Sequence, residues 1–368
     1  MTSTYLIYGA NGYTGELIAR EAKARGQTPI LSGRNAAAVR GLADELGLPQ
    51  RTFDLDDPAA LDAGLTGVRA VLNCAGPFVR TARPMVDACL RQRVHYLDVT
   101  GEVDVFEALA ARDSEARAAA ISLLPGVGFD VVPTDCLAAH LKRRMPEAQQ
   151  LSLGFQALMG LSRGTATTTI EGMGKPNLVR RNGVLTPAPF GKSARVIDFG
   201  RGPTTAVSIP WGDVSTAYHS TGIPNIEVFV AIPSVLRYAM QWNQALSPFL
   251  RSRHVQSGLK ALARAGKPGP DAAERARGRS YLWGEACDAA GSCVSTRLET
   301  PEGYTLTVLT ALAAVNKLLE GPARPGFQTP SRAFGPDFIC EFPGVTRTDL
   351  SGTASGSGLR TSGQRSDL

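Results

Sequence analysis

Three glycines near the start of the chain have the spacing of a phosphate-binding turn. Gly9, Gly12 and Gly15 form a GxxGxxG pattern between a short apolar run and a helical pattern. The first glycine permits a tight bend, the second lets the backbone approach a pyrophosphate, and the third lets helix and strand pack closely. The helix N-terminus adds free N–H groups and a positive dipole end. The pattern predicts dinucleotide binding by Gly9, Asn11, Gly12, Tyr13, Thr14 and Gly15.

The residues after the second apolar run indicate which dinucleotide binds. An NAD site usually has Asp or Glu at this point, for the ribose 2′-hydroxyl. Here Ser32 and Gly33 are followed by Arg34, and there is no carboxylate. A guanidinium can form a forked pair of hydrogen bonds with a 2′-phosphate. The sequence therefore favours NADP(H), with a solvated surface arginine as the alternative role of Arg34.

Further cofactor contacts are expected where later strands end, because open α/β sheets bind ligands at the carboxyl ends of their strands. Residue 54 follows the third predicted strand, near the adenine. Residues 73–77 end the fourth, near the nicotinamide half, and residues 100–101 end the fifth. The contacts predicted from these strand ends are Asp54, Asn73, Ala75, Gly76, Pro77, Thr100 and Gly101.

Hydride transfer also needs a proton donor or a polarising group, and no residue stands out in that role. None of the eight tyrosines has Lys four positions later, so the Tyr-x-x-x-Lys pair of short-chain dehydrogenases is absent. The weak candidates are Glu102, Asp130 and His219. Glu102 equally suits the first turn of a following helix, and His219 lies in a polar stretch predicted to be a loop. Asp135 is favoured as a first-turn charge behind a Thr134 cap.

These residues need a scaffold that brings them together. Through residue 125, six short apolar runs alternate with helical patterns. Such alternation predicts a doubly wound parallel sheet, because parallel strands need crossover helices. The predicted strands are 5–8, 29–32, 51–53, 70–73, 95–98 and 121–124, and the predicted helices are 13–25, 35–46, 83–92 and 103–119.

The pattern changes after Pro125, where strands dominate between two helices. The helices are predicted over 134–144 and 304–319, and the strands over 150–156, 194–199, 226–232, 280–286 and 294–299. This predicts a Rossmann-type domain followed by a second α+β domain. The expected divisions are 1–125 for NADP binding, 126–320 for substrate or oligomerisation, 321–350 returning to the first domain, and 351–368 as a disordered tail.

Composition excludes several classes of function. Hydrophobic residues make up 43% and charged residues 20%, as in globular proteins. No apolar run of about 18 residues exists to form a membrane span, and the first residues lack a secretory signal, so a cytoplasmic protein is predicted. The six cysteines form no CxxC pair or His/Cys ligand set, so no metal site is expected. Cys287 and Cys293 are expected to be ordinary buried thiols rather than a pair across a hairpin.

The net charge of +6 is confined to residues 251–279, which hold eight basic and two acidic residues. No nucleic-acid-binding pattern accompanies it. An apolar stretch at 226–250 comes directly before, so the two could form a docking surface for an anionic membrane or an acidic carrier domain. A core helix and a solvated linker are the alternatives. Reversing Arg275, Arg277 and Arg279 is expected to leave NADPH affinity unchanged, because the cofactor site is predicted within the first 125 residues.

Three segments together resemble the saccharopine dehydrogenase-like oxidoreductases. They are the glycine turn, residues 95–102 (HYLDVTGE) and residues 125–135 (PGVGFDVVPTD). Residues 162–168 and 326–331 also look like the short bacterial members, which include mycobacterial trans-acting enoyl reductases. The resemblance covers roughly residues 4–348.

The resemblance implies an NADPH-dependent reductase of a carbon–carbon double bond on an apolar lipid or polyketide intermediate. Saccharopine enzymes act at a carbon–nitrogen bond and usually need basic residues in the substrate domain, but residues 151–179 contain only Arg163 and Lys175. Two alternatives stay open: an amino-acid or imine dehydrogenase, and a non-enzymatic NADP-binding regulator. The expected partners are an apolar small molecule or carrier-bound acyl chain, a second copy in a homodimer, and the inner membrane face through residues 226–279. Nucleic acid is not expected as a partner.

Overall fold

Two β-sheets organise the part of the chain that the structure describes. The computed structural model describes residues 4–157, 162–172, 176–189, 193–231, 252–265 and 267–350. One sheet has seven strands and the other nine. The strands are β1 (Tyr5–Tyr8), β2 (Ile30–Gly33), β3 (Gln50–Thr52), β4 (Ala70–Asn73), β5 (His95–Asp98), β6 (Ser122–Leu124), β7 (Gln150–Ala157), β8 (Asn177–Arg181), β9 (Val184–Ala188), β10 (Ala194–Asp198), β11 (Pro203–Ser208), β12 (Asn225–Ala231), β13 (Arg279–Cys287), β14 (Cys293–Pro301), β15 (Gly326–Phe327) and β16 (Thr346–Leu350).

Helices connect and cover these strands. They are α1 (Tyr13–Ala24), α2 (Ala36–Leu46), α3 (Pro58–Gly64), α4 (Phe78–Gln92), α5 (Val103–Ala110), α6 (Asp113–Ala118), α7 (Val132–Arg144), α8 (Arg163–Gly172), α9 (Asp213–Thr221), α10 (Arg253–Ala265), α11 (Ala272–Arg277), α12 (Gly303–Glu320) and α13 (Pro330–Phe334), with a 3₁₀ turn at Phe338–Glu341.

The seven-stranded sheet is parallel, with the order β3-β2-β1-β4-β5-β6-β15. The strand order reverses at β1, which pairs with β2 on one side and β4 on the other. All four residues of β1 are buried, as expected for a strand covered by helices on both faces. This confirms the predicted α/β, doubly wound Rossmann-type sheet.

The nine-stranded sheet is mixed and forms the second domain. Its main path is β10-β11-β12-β7-β13-β14-β16, with β8 paired to β12 and β9 paired to β8. Helix α7 packs closely on this sheet, since a Cβ on Gly284 would lie 2.7 Å from the Leu141 side chain. The segment predicted to return to the first domain divides between the sheets. Strand β15 pairs with β6, whereas β16 pairs with β14.

Local signals explain where several helices begin and end. The Asn35 side chain accepts a hydrogen bond from the Ala38 N–H at 3.1 Å, which caps the start of α2. The same helix ends at Gly47, whose φ of 61° is left-handed. Asp57 caps α3 by accepting from two backbone N–H groups. Helix α3 was not predicted, although the Asp57-Pro58 pair is a typical helix start.

Other sequence predictions need correction. The helix predicted over 103–119 is two helices, α5 and α6. Helix α7 begins at Val132, so Thr134 is not its cap; the buried Thr134 hydroxyl donates to the Val131 carbonyl instead. Helix α4 begins at Phe78, five residues before its predicted start. Elements that the sequence patterns did not predict are β8, β9, β11, α8, α9, α10, α11, β15, α13 and β16.

The expectation of two buried thiols near the β13–β14 turn was wrong. Cys287 and Cys293 are directly opposite each other in the hairpin and form a disulfide. Register explains the pairing, because residues directly opposite in an antiparallel pair bring their Cβ atoms close together. Cys74, Cys89, Cys136 and Cys340 are free.

One hydrophobic cluster reaches from β1 and β4 through α7 and α12 to the second sheet. A second cluster fills the opposite face of the parallel sheet. No helix in the described ranges is long and apolar enough to cross a membrane. Residues 232–251, which hold most of the apolar stretch, and the predicted tail at 351–368 lie outside the described residues.

Candidate dinucleotide site at the carboxyl edge of the parallel sheet

The glycine turn lies between β1 and α1, as predicted, and two of its glycines are sterically required. Gly9 has φ +80°, and a Cβ there would lie 2.9 Å from the Ala75 backbone nitrogen. A Cβ on Gly15 would collide with the Gly9 carbonyl oxygen. The Gly12 N–H bonds that same oxygen at 3.0 Å. The turn is therefore compact enough to bring the first N–H groups of α1, which lack intrahelical acceptors, to a pyrophosphate.

Arg34 and Asp54 lie at the predicted adenosine end of the site. Both side chains are exposed, and the charges of both shift the pKa of the buried Tyr8 hydroxyl. Burial and the Asp54 charge raise the pKa of Tyr8 to about 12, while the Arg34 charge opposes that rise. A Cβ on Gly33 would lie 2.9 Å from the Asn11 Oδ1 atom, so Asn11 closes over the end of β2. No hydrogen bond or ion pair within the described ranges occupies the Arg34 guanidinium, which fits its proposed role on a 2′-phosphate.

The loop after β4 is organised by Asn73. This side chain is fully buried. Its Oδ1 accepts from the Ala75 N–H at 3.0 Å, and its Nδ2 donates to Thr81 Oγ1 at 3.2 Å and to the Tyr96 hydroxyl at 3.3 Å. Asn73 therefore shapes the loop from within. The following Gly76 is exposed at the surface, and the Gly76–Pro77 peptide bond is cis.

Asp98, at the end of β5, was not singled out in the sequence and joins the loop that follows β5 to the loop that follows β6. Its buried carboxylate accepts from the Tyr96 hydroxyl at 2.8 Å, the Thr100 N–H at 3.0 Å and the Gly126 N–H at 2.8 Å. Burial raises its pKa to about 7 despite these donors. The Thr100 hydroxyl in turn accepts from the Glu102 N–H at 3.0 Å. The predicted contact Thr100 is itself buried, so Gly101 is the more accessible of the two.

The Glu102 carboxylate binds backbone groups at the start of helix α4. It accepts from the Phe78 N–H at 2.9 Å and from the Val79 N–H at 2.8 Å. It therefore caps the start of α4. On its own helix α5, by contrast, the Glu102 side chain forms no cap hydrogen bond.

Asp130 is the candidate acid that the structure leaves free near the strand ends. It is half-buried, and its Oδ2 lies 3.0 Å from where a Cβ on Gly101 would be. The Trp211 indole N–H bonds its backbone carbonyl at 2.9 Å and fixes its position. Burial raises the pKa of its carboxyl to about 6. Within the described ranges no hydrogen bond involves that carboxyl.

Two other carboxyls lie deeper in the interior. Asp135 is buried and accepts from the Ser220 hydroxyl and from the Ser331 N–H at 2.7 Å, so it joins α7, α9 and α13. Asp213 is also fully buried, and its Oδ2 has no hydrogen-bond partner in the described part of the chain. Burial, followed by the nearby charges of Asp135 and Asp130, raises the pKa of Asp213 well above its usual range. Asp213 thus lies within electrostatic reach of Asp130.

His219 does not lie in a loop, contrary to the prediction. It is in the last turn of α9. Its Nε2 lies 3.7 Å from Glu107 Oε1 on α5, and its ring packs against Phe327 of β15 at 5.0 Å between centroids. Glu107 also binds Arg180 at 2.7 Å and the Ser215 hydroxyl at 2.6 Å. These contacts tie His219 to an interdomain ion-pair cluster.

The basic segment is not separate from the cofactor turn. Residues 267–277 cross the start of α1, where Arg275 Nη1 donates to the Tyr13 hydroxyl at 3.0 Å. The expectation that changes at Arg275 would leave the cofactor site untouched was based on sequence distance alone. Arg275 lies 262 positions after Tyr13 in the sequence, and the fold of the second domain places it beside the glycine turn.

Comparison with known proteins identifies the domain around this turn. Residues 5–124 match the family described as the saccharopine dehydrogenase NADP binding domain. This confirms the resemblance found in the sequence motifs, and it confirms NADP(H) as the cofactor. The glycine cradle, the open helix start and the unoccupied Arg34 guanidinium fit that ligand.

Curated relatives match a little over a third of the chain. A trans-acting enoyl reductase from Mycobacterium ulcerans is 31% identical over 156 residues, covering 39% of this chain and 36% of that protein. A probable mitochondrial saccharopine dehydrogenase-like oxidoreductase from Arabidopsis thaliana is 31% identical over 147 residues, covering 35% of this chain and 32% of that protein. The matches thus span about a third of each relative.

A solved structure matches nearly the whole chain. The apo histidine-tagged saccharopine dehydrogenase (L-Glu forming) from Saccharomyces cerevisiae aligns with a TM-score of 0.63 over 95% of this chain and 100% of that one. The sequence identity is 11%, so the likeness concerns the fold. The second, mixed sheet is therefore part of a shared two-domain architecture.

Proposed function

Since residues 5–124 belong to the NADP-binding domain of the saccharopine dehydrogenase-like oxidoreductases, we propose that this protein is an NADPH-dependent reductase. Its proposed reaction is reduction of an activated carbon–carbon double bond in an apolar acyl or polyketide intermediate. The identity shared with trans-acting enoyl reductases supports this substrate class. The observation that carries the proposal is the free, half-buried Asp130 carboxyl beside Gly101 at the carboxyl edge of the parallel sheet.

The first domain holds and orients the dinucleotide. The N–H groups at the start of α1 bind the pyrophosphate, and Arg34 binds the 2′-phosphate. The Asn73 and Glu102 side chains fix the loops that flank the nicotinamide half. A nicotinamide held there would supply the hydride chemistry for reducing the substrate double bond.

Asp130 supplies the proton that completes the reduction. As the π bond breaks, its electron pair ends at the second alkene carbon, next to the activating carbonyl, and this carbon takes the Asp130 proton. Two C–H bonds form in place of the π bond, and the Asp130 carboxylate regains a proton from water. A pKa of about 6 suits this task, because the carboxyl stays partly protonated close to neutral pH.

The decisive experiment measures NADPH oxidation with an α,β-unsaturated acyl thioester across pH 5 to 9. We expect wild-type turnover to fall above about pH 6, and Asp130→Asn to lower the rate by about 100-fold and to abolish that pH dependence. Glu102→Gln is the matched variant, since Glu102 is a rival acid; it should keep the pH dependence. A loss confined to Glu102→Gln would refute the assignment of Asp130.

The same assay separates the alternative reactions. NADPH oxidation with a 2-oxo acid plus an amine, and none with the thioester, would identify a carbon–nitrogen dehydrogenase. Tight NADPH binding with no turnover of either substrate would support a regulator. A partly protonated Asp130 could donate a proton in reduction of either a carbon–carbon or a carbon–nitrogen double bond. The choice between these two reactions therefore depends on which substrate is turned over.

We also propose that the substrate arrives on an acidic carrier domain. Helix α10 presents Leu262, which is 73% exposed, within the basic region. Binding to a carrier domain or to anionic vesicles should weaken as salt increases. The absence of binding in both assays at low salt would refute a docking role. Homodimer formation and a cytoplasmic or membrane-peripheral location remain predictions, testable by light scattering and fractionation.

A further inference from the structure

A short segment of the second domain lies across the start of α1. We call residues 267–277 the strap. Within it, the Pro270 carbonyl accepts a hydrogen bond from the Tyr13 hydroxyl, and Arg275 Nη1 donates to both of these oxygens, at 2.8 Å and 3.0 Å. The strap backbone also lies against the tyrosine ring, because a Cβ on Gly269 would come within 2.6 Å of it. Tyr13 is thus the first-domain anchor of the strap.

Further contacts hold the other side of Tyr13. The Tyr304 ring, at the start of α12, meets it edge-on with 5.0 Å between centroids. The Tyr304 hydroxyl accepts from the Ser162 N–H at 2.7 Å, and the Arg163 N–H bonds the Pro268 carbonyl at 3.1 Å. Segments around residues 162, 268 and 304 therefore converge on the residue that opens α1. This convergence positions the strap rather than leaving it as a loose connection.

The positive charge of Arg275 is not cancelled by the strap's own acids. Asp271 and Glu274 bond each other's backbone N–H groups in a capping box at the start of α11. The Glu302 carboxylate, which also acts on Tyr13, accepts from the Tyr304 and Thr305 N–H groups. In the described ranges Arg275 forms no ion pair, and its Nη2 and Nε atoms have no acceptor.

We propose that Arg275 binds the pyrophosphate of the dinucleotide, delivered by the strap and aligned by Tyr13. Tyr13 is the first residue of α1, whose N–H groups form the proposed phosphate site. The Tyr13 hydroxyl binds the Arg275 guanidinium at 3.0 Å, so one side chain links the two. A half-buried cation with free donors complements a pyrophosphate and adds to the helix dipole. Through Arg275 the bound cofactor also bridges the two domains. This inference rests on the NADP-binding site and not on the proposed reaction.

Equilibrium binding of both NADPH and NADH to the full chain tests the assignment. The pyrophosphate is common to the two, so Arg275→Gln should weaken both by the same factor, about tenfold or 1.4 kcal/mol. It should also reduce the dependence of Kd on salt. Arg275→Lys should recover part of the affinity, and Tyr13→Phe should lose about threefold through poorer alignment. Arg277→Gln, on the same helix without a Tyr13 contact, should bind as wild type.

Each contrary result is informative. Unchanged dissociation constants in a folded Arg275→Gln protein would show that the strap is only structural. A loss restricted to NADPH would instead place Arg275 on the 2′-phosphate. If Arg275→Lys binds no better than Arg275→Gln, the residue acts through packing rather than charge. Any of these results overturns the proposal, and none depends on which substrate the enzyme reduces.

Discussion

The Glu102 carboxylate accepts a hydrogen bond from the Phe78 N–H at 2.9 Å, so the start of α4 is capped by a residue 24 positions later. This contact joins the loop that follows β4 to the loop that follows β5. Both loops carry predicted cofactor contacts. The Glu102 contact adds to the β4–β5 strand pairing in holding the two loops together.

Removing that cap should destabilise the fold. Glu102→Ala leaves the N–H groups of Phe78 and Val79 without their acceptor, and loss of a helix cap typically lowers the free energy of unfolding by about 1 kcal/mol. Glu102→Gln retains one amide oxygen and should lose less. Urea unfolding of the three proteins measures the difference. Equal stabilities would show that water replaces the carboxylate at no cost.

The glycine turn should separate cofactor binding from folding. Gly12 has φ −84°, and a Cβ there would meet only the Gly9 carbonyl oxygen, at 3.2 Å. We expect Gly12→Val to melt close to the wild-type temperature and to lose NADPH binding, because the side chain fills the space of the pyrophosphate. Gly15→Ala is the contrasting variant and should lower stability, since its Cβ collides with backbone. Normal NADPH binding by Gly12→Val would move the phosphate site elsewhere.

Arg34 should decide between the two nicotinamide cofactors. We expect NADPH to bind at least about tenfold tighter than NADH, roughly 1.4 kcal/mol. Arg34→Ala should remove most of that preference while leaving the NADH dissociation constant unchanged, because only NADPH has a 2′-phosphate. Fluorescence titration with each cofactor measures both constants. Retention of the preference in Arg34→Ala would assign the 2′-phosphate to another group.

Asp98 should make stability depend on pH. Its folded pKa of about 7 exceeds the usual value near 4, so the folded protein binds the proton more tightly than the unfolded one. The resulting stabilisation is complete below about pH 4 and is lost as the pH rises through 7. In Asp98→Asn, Oδ1 can still accept from Thr100 and Gly126, so the fold should persist with a flatter stability profile over that interval. Identical pH slopes for both proteins would contradict this account.

The sequence predicted those features that depend on residues close together along the chain. Strand and helix alternation predicted the parallel sheet, and the Gly9 to Gly15 spacing predicted its phosphate turn. The absence of an acid near Arg34 predicted the NADP preference that the family match supports. These are local patterns, and local periodicity reflects which face of an element is buried.

Contacts between distant segments could not be predicted in this way. The sequence suggested that Glu102 charges the first turn of its own helix α5. In the structure its carboxylate binds the first two N–H groups of α4. The burial of Asp213 was not predicted, because it depends on how α9 packs against α7. Tyr13 was recognised by its backbone position, but its hydroxyl binds a carbonyl 257 residues away. Each role is created by tertiary packing, which hydrophobic periodicity does not encode.

The return of the chain to the first sheet has a consequence for protein engineering. Strand β15 completes the edge beside β6. Helix α12 lies along α1, and just past the end of α1 the Gln27 Nε2 donates to Asn316 Oδ1 at 3.1 Å. The segment that matches the NADP-binding family, residues 5–124, therefore lacks the elements that complete its sheet edge and cover one of its helices. Cut out alone, it would expose an unpaired strand edge and an uncovered helix face. A chimaera that transplants this cofactor specificity must also carry the two C-terminal elements.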